Sequence, residues 1–228
     1  FKRERAVFED LLYQNIRQAG GQTGADTQAP IGLLMGTGTR VLANEKIHNQ
    51  GNIITTDNAL DLAVDGAGFF QVLLPDGRIG YTRNGTFSRN NEGALTTSSG
   101  FVIQPEVVIP EDAQEINVSS DGVVSVQLPG AVEQEEVGQI ELAEFQNRNG
   151  LQPIGESFFV ETTASGEAII ANPLEGSFGK LVQGALESSN VSVVKELVDM
   201  IETQRAYEVN SKAISSVDEM LRFISNNL

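Results

Sequence analysis

The sequence predicts an α+β protein: a mainly antiparallel β domain inserted between terminal segments, with a long coiled-coil-type helix at its C-terminal end. Three observations predict it. From Leu60 to Phe145 the chain is a succession of short segments rich in β-branched and aromatic residues, separated by turn signals. From Ser189 to Leu228 there is no proline and no glycine, although the chain carries 23 glycines elsewhere. In that same tail, apolar residues recur at steps of three and four. The expected division is terminal helical segments over 1–17 and 187–228, a polar stretch with an extended connector over 18–57, and a mostly β outer domain over 58–186.

At the N-terminal end, Phe8, Leu11, Leu12 and Ile16 fit one helical face, with Arg17 near its C-terminal end and Gly20 as a helix-ending residue. The stretch "YQNIRQAGGQTGADTQAP" (13–30) follows. It has one aliphatic anchor, Ile16, and places Gly20, Gly21 and Gly24 among Gln, Thr, Asp and Ala. By composition it is a flexible linker.

The β reading rests on "LDLAVDG", "GFFQVLL", "IGYTR", "GTFSR", "GALTT", "GFVIQ", "INVSS", "GVVSVQL" and "IELAEF". Pro75-Asp76-Gly77, Asn84-Gly85, Asn91-Glu92-Gly93 and Asp121-Gly122 read as tight turns, which makes the connections antiparallel hairpins because a parallel sheet needs longer crossovers. The segments 106–116 and 130–139 read as acidic loops. Phe69, Phe70, Tyr81 and Phe87 are the expected aromatic core.

In the C-terminal segment, Ser188, Ser189 and Asn190 are candidate N-caps. Val194, Val198, Ile201, Val209, Ala213, Val217, Met220, Ile224 and Leu228 keep helical spacing, while Met200, Tyr207, Ile214, Leu221 and Leu228 recur every seventh residue, the seam of a coiled coil. If continuous, such a helix spans roughly 57 Å at about 1.5 Å per residue. Its apolar surface is wider than one seam needs, so it requires partners.

Composition narrows the function. The chain has 228 residues, with 31 acidic against 15 basic and a net charge of -16. A nucleic-acid binder neutralises phosphates with Lys and Arg, so this balance argues strongly against that class. No apolar run reaches the roughly 20 residues of a membrane helix, so no membrane insertion is expected. There is no cysteine, which excludes disulfides, zinc–thiolate sites and thiol nucleophiles. No secretory signal is visible, and the opening on Phe1 reads as a fragment or trimmed chain.

The search for chemistry is negative. His48 is the sole histidine, too few for a two-histidine metal site, and no G-x-S-x-G accompanies it. Asp57, Asp61 and Asp65 are four apart in a segment that alternates like a strand, and they miss the spacing of a calcium loop. Glu133, Glu135 and Glu136 fit a solvated loop better than a glycosidase pair. "GGQTG" and "GTGTR" lack the Gly-Lys-Ser/Thr of a phosphate loop. No catalytic, cofactor-binding or metal residues are therefore expected.

Two long motifs carry a family resemblance. "LESSNVSVVKELVDMIETQRAYEVNSKAISSVDEML" (186–221) resembles the C-terminal signature of bacterial flagellar rod and hook proteins, and "NALDLAVDGAGFFQVLLPDGRIGYTRNGTFSRNNEGALTTSSGFVIQP" (58–105) resembles their β-domain signature. "FKRERAVFEDLLYQNIRQA", the segment 137–159 and "ETTASGEA" (161–168) are similar to distal rod members in particular. One departure lies at the start, where an upstream helix ending in an Asn-rich "N-x-x-T-G" run is absent; in the family it packs against the C-terminal helix.

The resemblance implies a non-enzymatic building block, exported unfolded by the flagellar type III system without a cleaved signal. Copies stack helically into the rigid hollow shaft that crosses the periplasm and carries torque from motor to hook. The implied partners are further copies, the proximal rod and hook proteins at its ends, and the bushing rings around it. Val194, Val198, Ile201, Val217, Met220 and Ile224 are the implied seam. Arg205, Tyr207 and Asn210, in "QRAYEVNS", match the family's most recognisable run, and Arg205 alternatively pairs with Glu202 or Glu208 within the helix. The rod-specific stretch is carried by Tyr13, Gln14, Gln18, Gly20, Gly21, Gly24 and Pro30, falling where the hook protein has no counterpart. Alternatives are a hook or proximal rod subunit or, from another class, a secreted β-rich carbohydrate-binding or hydrolytic protein.

Overall fold

A computed structural model describes residues 1–20, 31–130 and 134–226; Gly21, Gly24, Pro30, Glu133 and Leu228 fall outside that range, so the readings that rest on them lie outside the described residues. The chain divides into two units, Phe1–Ser189 and Asn190–Leu228.

The first unit begins with strands. β1 (Glu4–Asp10) and β2 (Tyr13–Arg17) occupy the segment whose spacing predicts a helix, which corrects that expectation for residues 1–17. Their partners lie further along the chain: β4 (Thr39–Lys46) pairs antiparallel with β1, and β3 (Leu33–Gly36) with β2. The Leu11 N–H donates to the Gly38 carbonyl at 2.9 Å and Thr37 Oγ1 donates to the Leu12 carbonyl at 2.6 Å, so the two pairs run into one another as a single ribbon. Over residues 4–17 it extends roughly 45 Å at about 3.3 Å per residue. Three ion pairs, Glu4–Lys46, Arg5–Glu45 and Glu9–Arg40, join residues directly opposite in the register. Opposite charges at facing positions stabilise that register and penalise a slip. The helical spacing of Phe8, Leu11, Leu12 and Ile16 is outweighed by pairing that no local pattern announces.

The β body is built as the turn signals require. β5 (Ile53–Thr55) pairs with 185–187, β6 (Leu62–Asp65) with 180–183, and β7 (Phe69–Leu73) with β8 (Ile79–Thr82) across Pro75-Asp76-Gly77. β7 and β8 are central to the largest sheet, flanked by 142–144 on one side and 158–160 on the other. All nine predicted β segments contain a strand. Asn91-Glu92-Gly93 and Asp121-Gly122 close hairpins. Asn84-Gly85 does not: Asn84 Oδ1 accepts from the Thr86 N–H, and Gly85 gives its carbonyl to the Leu62 N–H. Residues 135–139, expected as loop, form a strand beside 123–126, the polar Glu135 and Glu136 staying exposed at its start.

Side-chain alternation makes two cores from one strand. Phe70 joins Leu62, Phe87, Ile103 and Leu142 in the larger cluster; Phe69, its neighbour in sequence, joins Tyr81, Phe145 and Phe159 in the second. Adjacent strand residues point to opposite faces, so a doubly covered sheet buries both. Phe69, Phe70, Tyr81 and Phe87 are all core, as expected. Burial shifts the Tyr81 phenol up to about 12, with Glu161 adding to it.

The second unit is α1 (Val193–Asn226), an unbroken helix of 34 residues, about 51 Å long. The Glu196 N–H donates to the Ser192 carbonyl, closing its first turn. Its lack of glycine and proline permits that length. No helix among the described residues is long and apolar enough to cross a membrane.

Candidate functional site

Two surfaces carry apolar side chains that the fold leaves in solvent. On α1, Val194, Val198, Ile201, Val217, Met220 and Ile224 are each about half exposed or more, and Arg205, Tyr207 and Asn210 are exposed as well. With about 100° between successive residues, Val194, Val198 and Ile201 share one face, and Val217, Met220 and Ile224 share another, rotated by roughly 100°. Ile201, Arg205, Val209, Ala213 and Val217 step between them by fours. Met200, Tyr207, Ile214 and Leu221 form a second stripe that drifts about 20° per heptad in the opposite sense. A helix with apolar faces pointing in several directions is one built for several neighbours. Among the described residues Arg205 makes no ion pair with Glu202 or Glu208.

The ribbon is the other surface. Phe8, Leu12, Tyr13, Ile16, Leu33, Leu34, Met35, Val41 and Leu42 are all exposed on it. A two-stranded ribbon by itself is marginal in water, so these exposed faces call for a cover. Tyr13 and Gln14 sit in β2, Gln18 follows it, and Gly20 turns at φ +80, a conformation that favours glycine. Asp10, hydrogen-bonded to Tyr13, raises its phenol above the ordinary value. The composition of 13–30 suggests slack linker, yet the described part of it is strand and turn.

A buried polar hub, invisible to sequence reasoning, ties the first residues to the last strand. Glu187 accepts from Lys2 Nζ at 2.5 Å, from the Gly51 N–H at 2.8 Å and from Arg83 Nε at 2.9 Å. Arg83 also donates to the carbonyls of Gly68 at 2.6 Å, Gly66 at 2.9 Å and Val64 at 3.2 Å. Lys2 donates to the Asn49 carbonyl at 2.9 Å. Burial by itself would raise the Glu187 carboxyl, but the Lys2 hydrogen bond, the Arg83 charge and the Gly51 N–H hold it below its ordinary value. Nothing in the spacing of these residues marks them, because their partners are up to 185 positions away.

Among the described residues the candidate chemistry does not converge. His48 packs edge-on to Phe69 and Phe159, with ring centroids 6.0 and 5.6 Å away. Burial, then the charges of Lys2, Arg148, Lys46 and Arg83, lower it to about 4, so it is neutral at pH 7. Asp61 accepts from Thr56 Oγ1 and Asn58 Nδ2 in a turn, and Asp65 pairs with Lys180. No group of three His, Cys, Asp or Glu able to hold a metal occurs among the described residues.

The geometry is that of an assembling part, and comparison with known proteins identifies which. Residues 63–126 match the flagellar hook protein FlgE/F/G D1 domain, and residues 182–228 match the flagellar basal body rod FlgEFG protein C-terminal domain. The flagellar basal-body rod protein FlgG of Buchnera aphidicola subsp. Acyrthosiphon pisum is 51% identical over 225 residues, 99% of this chain and 86% of that protein. The chain belongs to the FlgG family of flagellar basal-body rod proteins. The FlgG of Caulobacter vibrioides is 46% identical over 226 residues, again 99% of this chain and 86% of the relative. The flagellar hook protein FlgE of Salmonella typhimurium is 42% identical over 118 residues, 51% of this chain and 29% of its own length. As a FlgG-family chain, this protein is a structural subunit of the flagellar rod, and its place is the basal body. The D1 match covers the body around β6, β7 and β8, and the C-terminal match covers α1.

Proposed function

We propose that the protein builds the distal rod: copies polymerise helically into a stiff hollow shaft that carries torque to the hook. The observation that carries this reading is the contrast in coverage, with rod relatives matched over nearly the whole chain and a hook protein over half of it. The exposed apolar faces of α1 and of the ribbon support it physically, since burying them against other copies removes apolar area from water at roughly 25 cal/mol per Å². In this reading α1 lines the shaft through Val194, Val198, Ile201, Val217, Met220 and Ile224, and Arg205, Tyr207 and Asn210 make polar and aromatic contacts between copies. The β body forms the outer shell facing the bushing rings, with proximal rod and hook proteins at the two ends of the shaft. The subunit is non-enzymatic and leaves the cell by type III export.

The stretch around Tyr13, Gln14, Gln18, Gly20, Gly21, Gly24 and Pro30 stiffens the shaft by becoming ordered between copies, exchanging chain entropy for packing and hydrogen bonds. Electron microscopy of the full-length protein at high concentration tests the whole reading. Straight tubes are expected, and deletion of residues 18–30 gives tubes of lower bending stiffness with an unchanged melt of the β body. Curved tubes would favour a hook subunit. A protein that stays monomeric and binds or cleaves a glycan would overturn the reading.

A further inference from the structure

A third of the chain's 15 Lys and Arg side chains line one cleft of the first unit: Lys2, Arg5, Lys46, Arg83 and Arg148. The cleft has a volume of about 590 Å³, room for several carboxylate side chains. Its cations are already engaged, Lys2 and Arg83 by Glu187, Arg5 by Glu45, Lys46 by Glu4 and Arg148 by Glu144. The engagement is incomplete in number, since five cations share four carboxylates, and a guanidinium has five N–H donors. The field inside is accordingly positive. His48 lines the same cleft, and Lys2, Arg148, Lys46 and Arg83 act on it there.

The opposite sign is concentrated elsewhere on the same unit. Glu111 and Asp112 lie in the turn leading into the strand Glu115–Val118, which pairs with Val123–Gln127, which pairs in turn with Glu135–Gln139. In that register Glu115, Asn117, Ser125 and Glu136 share the outer face, while Val118 and Val124 are buried on the other. All four carboxylates, Glu111, Asp112, Glu115 and Glu136, are exposed, and among the described residues none takes part in an ion pair. The nearest cation the contacts record is Arg89, whose guanidinium donates to the Pro110 carbonyl at 3.2 Å without forming an ion pair with these carboxylates.

We propose that the cleft is the acceptor of a head-to-tail contact, in which the cations Arg5, Lys46 and Arg148 of one copy receive the carboxylates Glu111, Asp112, Glu115 and Glu136 of a second copy. The inference rests on the self-assembly reading above and adds to it a surface, a polarity and a sign. Two different patches joined in this way make a heterologous contact, which propagates into an open helical polymer instead of closing on a two-fold axis. Charge complementarity also fixes orientation, because the reverse docking brings acid against acid.

Charge reversal in the full-length protein tests it, read as the critical concentration for polymer formation by sedimentation. E111K/E115K/E136K on the acidic face and R5E/R148E in the cleft are each expected to raise it at least about tenfold. Mixed in one chain, the two sets restore opposite signs across the contact and bring it back to within about threefold of wild type. Thermal melts of the subunits establish that each variant is folded. Should the cleft variant fail to fold, the acidic-face variant decides alone, since it alters only exposed side chains. Unchanged assembly of the acidic-face variant overturns the proposal, whether or not the cleft variant assembles. So does loss in both single sets without recovery in the combination. Failure of the wild-type protein to polymerise would instead overturn the assembly reading itself.

Discussion

Lys2 Nζ lies 2.5 Å from Glu187 Oε1 across 185 residues of chain, and both side chains are withdrawn from solvent. The pair joins the first residues of the ribbon to the last strand of the β body, and Arg83 and the Gly51 N–H complete the set around the same carboxylate. Removing one partner of such a group is costlier than the pair is beneficial, because the remaining charges stay buried. Glu187→Ala, which strands Lys2 and Arg83, is expected to destabilise the first unit by about 3–5 kcal/mol in urea denaturation.

The same carboxylate sets a pH dependence. Its folded value is held below its ordinary 4.5, so its contribution is fully present above that pH and is lost as the pH falls through the lower folded value. Stability measured from pH 6 to 3 is expected to fall across that window, and Glu187→Gln to flatten the fall. An identical profile in the variant would remove Glu187 as its source.

His48 adds an acid-side dependence at higher pH. Folding lowers it from 6.5 to about 4, so the unfolded chain takes up a proton that the folded chain refuses between those values. The contribution is present above pH 6.5 and declines as the pH drops toward 4. Proton NMR titration of the single histidine is expected to give a midpoint near 4.

Both faces of β7 are core, which makes neighbouring phenylalanines equally intolerant. Phe69→Ala and Phe70→Ala are each expected to cost about 3–5 kcal/mol. A sheet covered on one face only would leave one of the two nearly silent in the same denaturation experiment.

Gly85 is required by close approach. A Cβ there would lie 1.6 Å from the Leu62 carbonyl oxygen and 3.3 Å from the Phe70 ring. Gly85→Ala is expected to destabilise by at least about 1–3 kcal/mol, the scale of overpacking, and the melting temperature reads it directly.

On α1 the expectation is the reverse. Ile214 and Leu221 belong to the seven-residue stripe and are exposed in the subunit. Ile214→Asp and Leu221→Asp should leave the melt of the first unit unchanged while preventing sedimentable polymer.

What can be read from the residues alone is the part of the fold that is encoded locally. Nine β segments follow from alternation and composition, and three of the four turn signals close hairpins, because a tight turn fixes its own strands. The length of α1 follows from spacing and from the absence of glycine and proline. The rest depends on long-range contacts. Phe8, Leu11, Leu12 and Ile16 fit a helix locally, but β1 and β2 exist because β4 and β3 lie beside them. Asn84-Gly85 has the residues of a hairpin turn and is used instead to bring Gly85 against Leu62. The hub of Lys2, Arg83 and Glu187 left no trace in sequence, since no spacing encodes a contact across 185 residues. Local propensity is worth tenths of a kcal/mol per residue and long-range pairing and burial considerably more, so where the two disagreed the contacts prevailed.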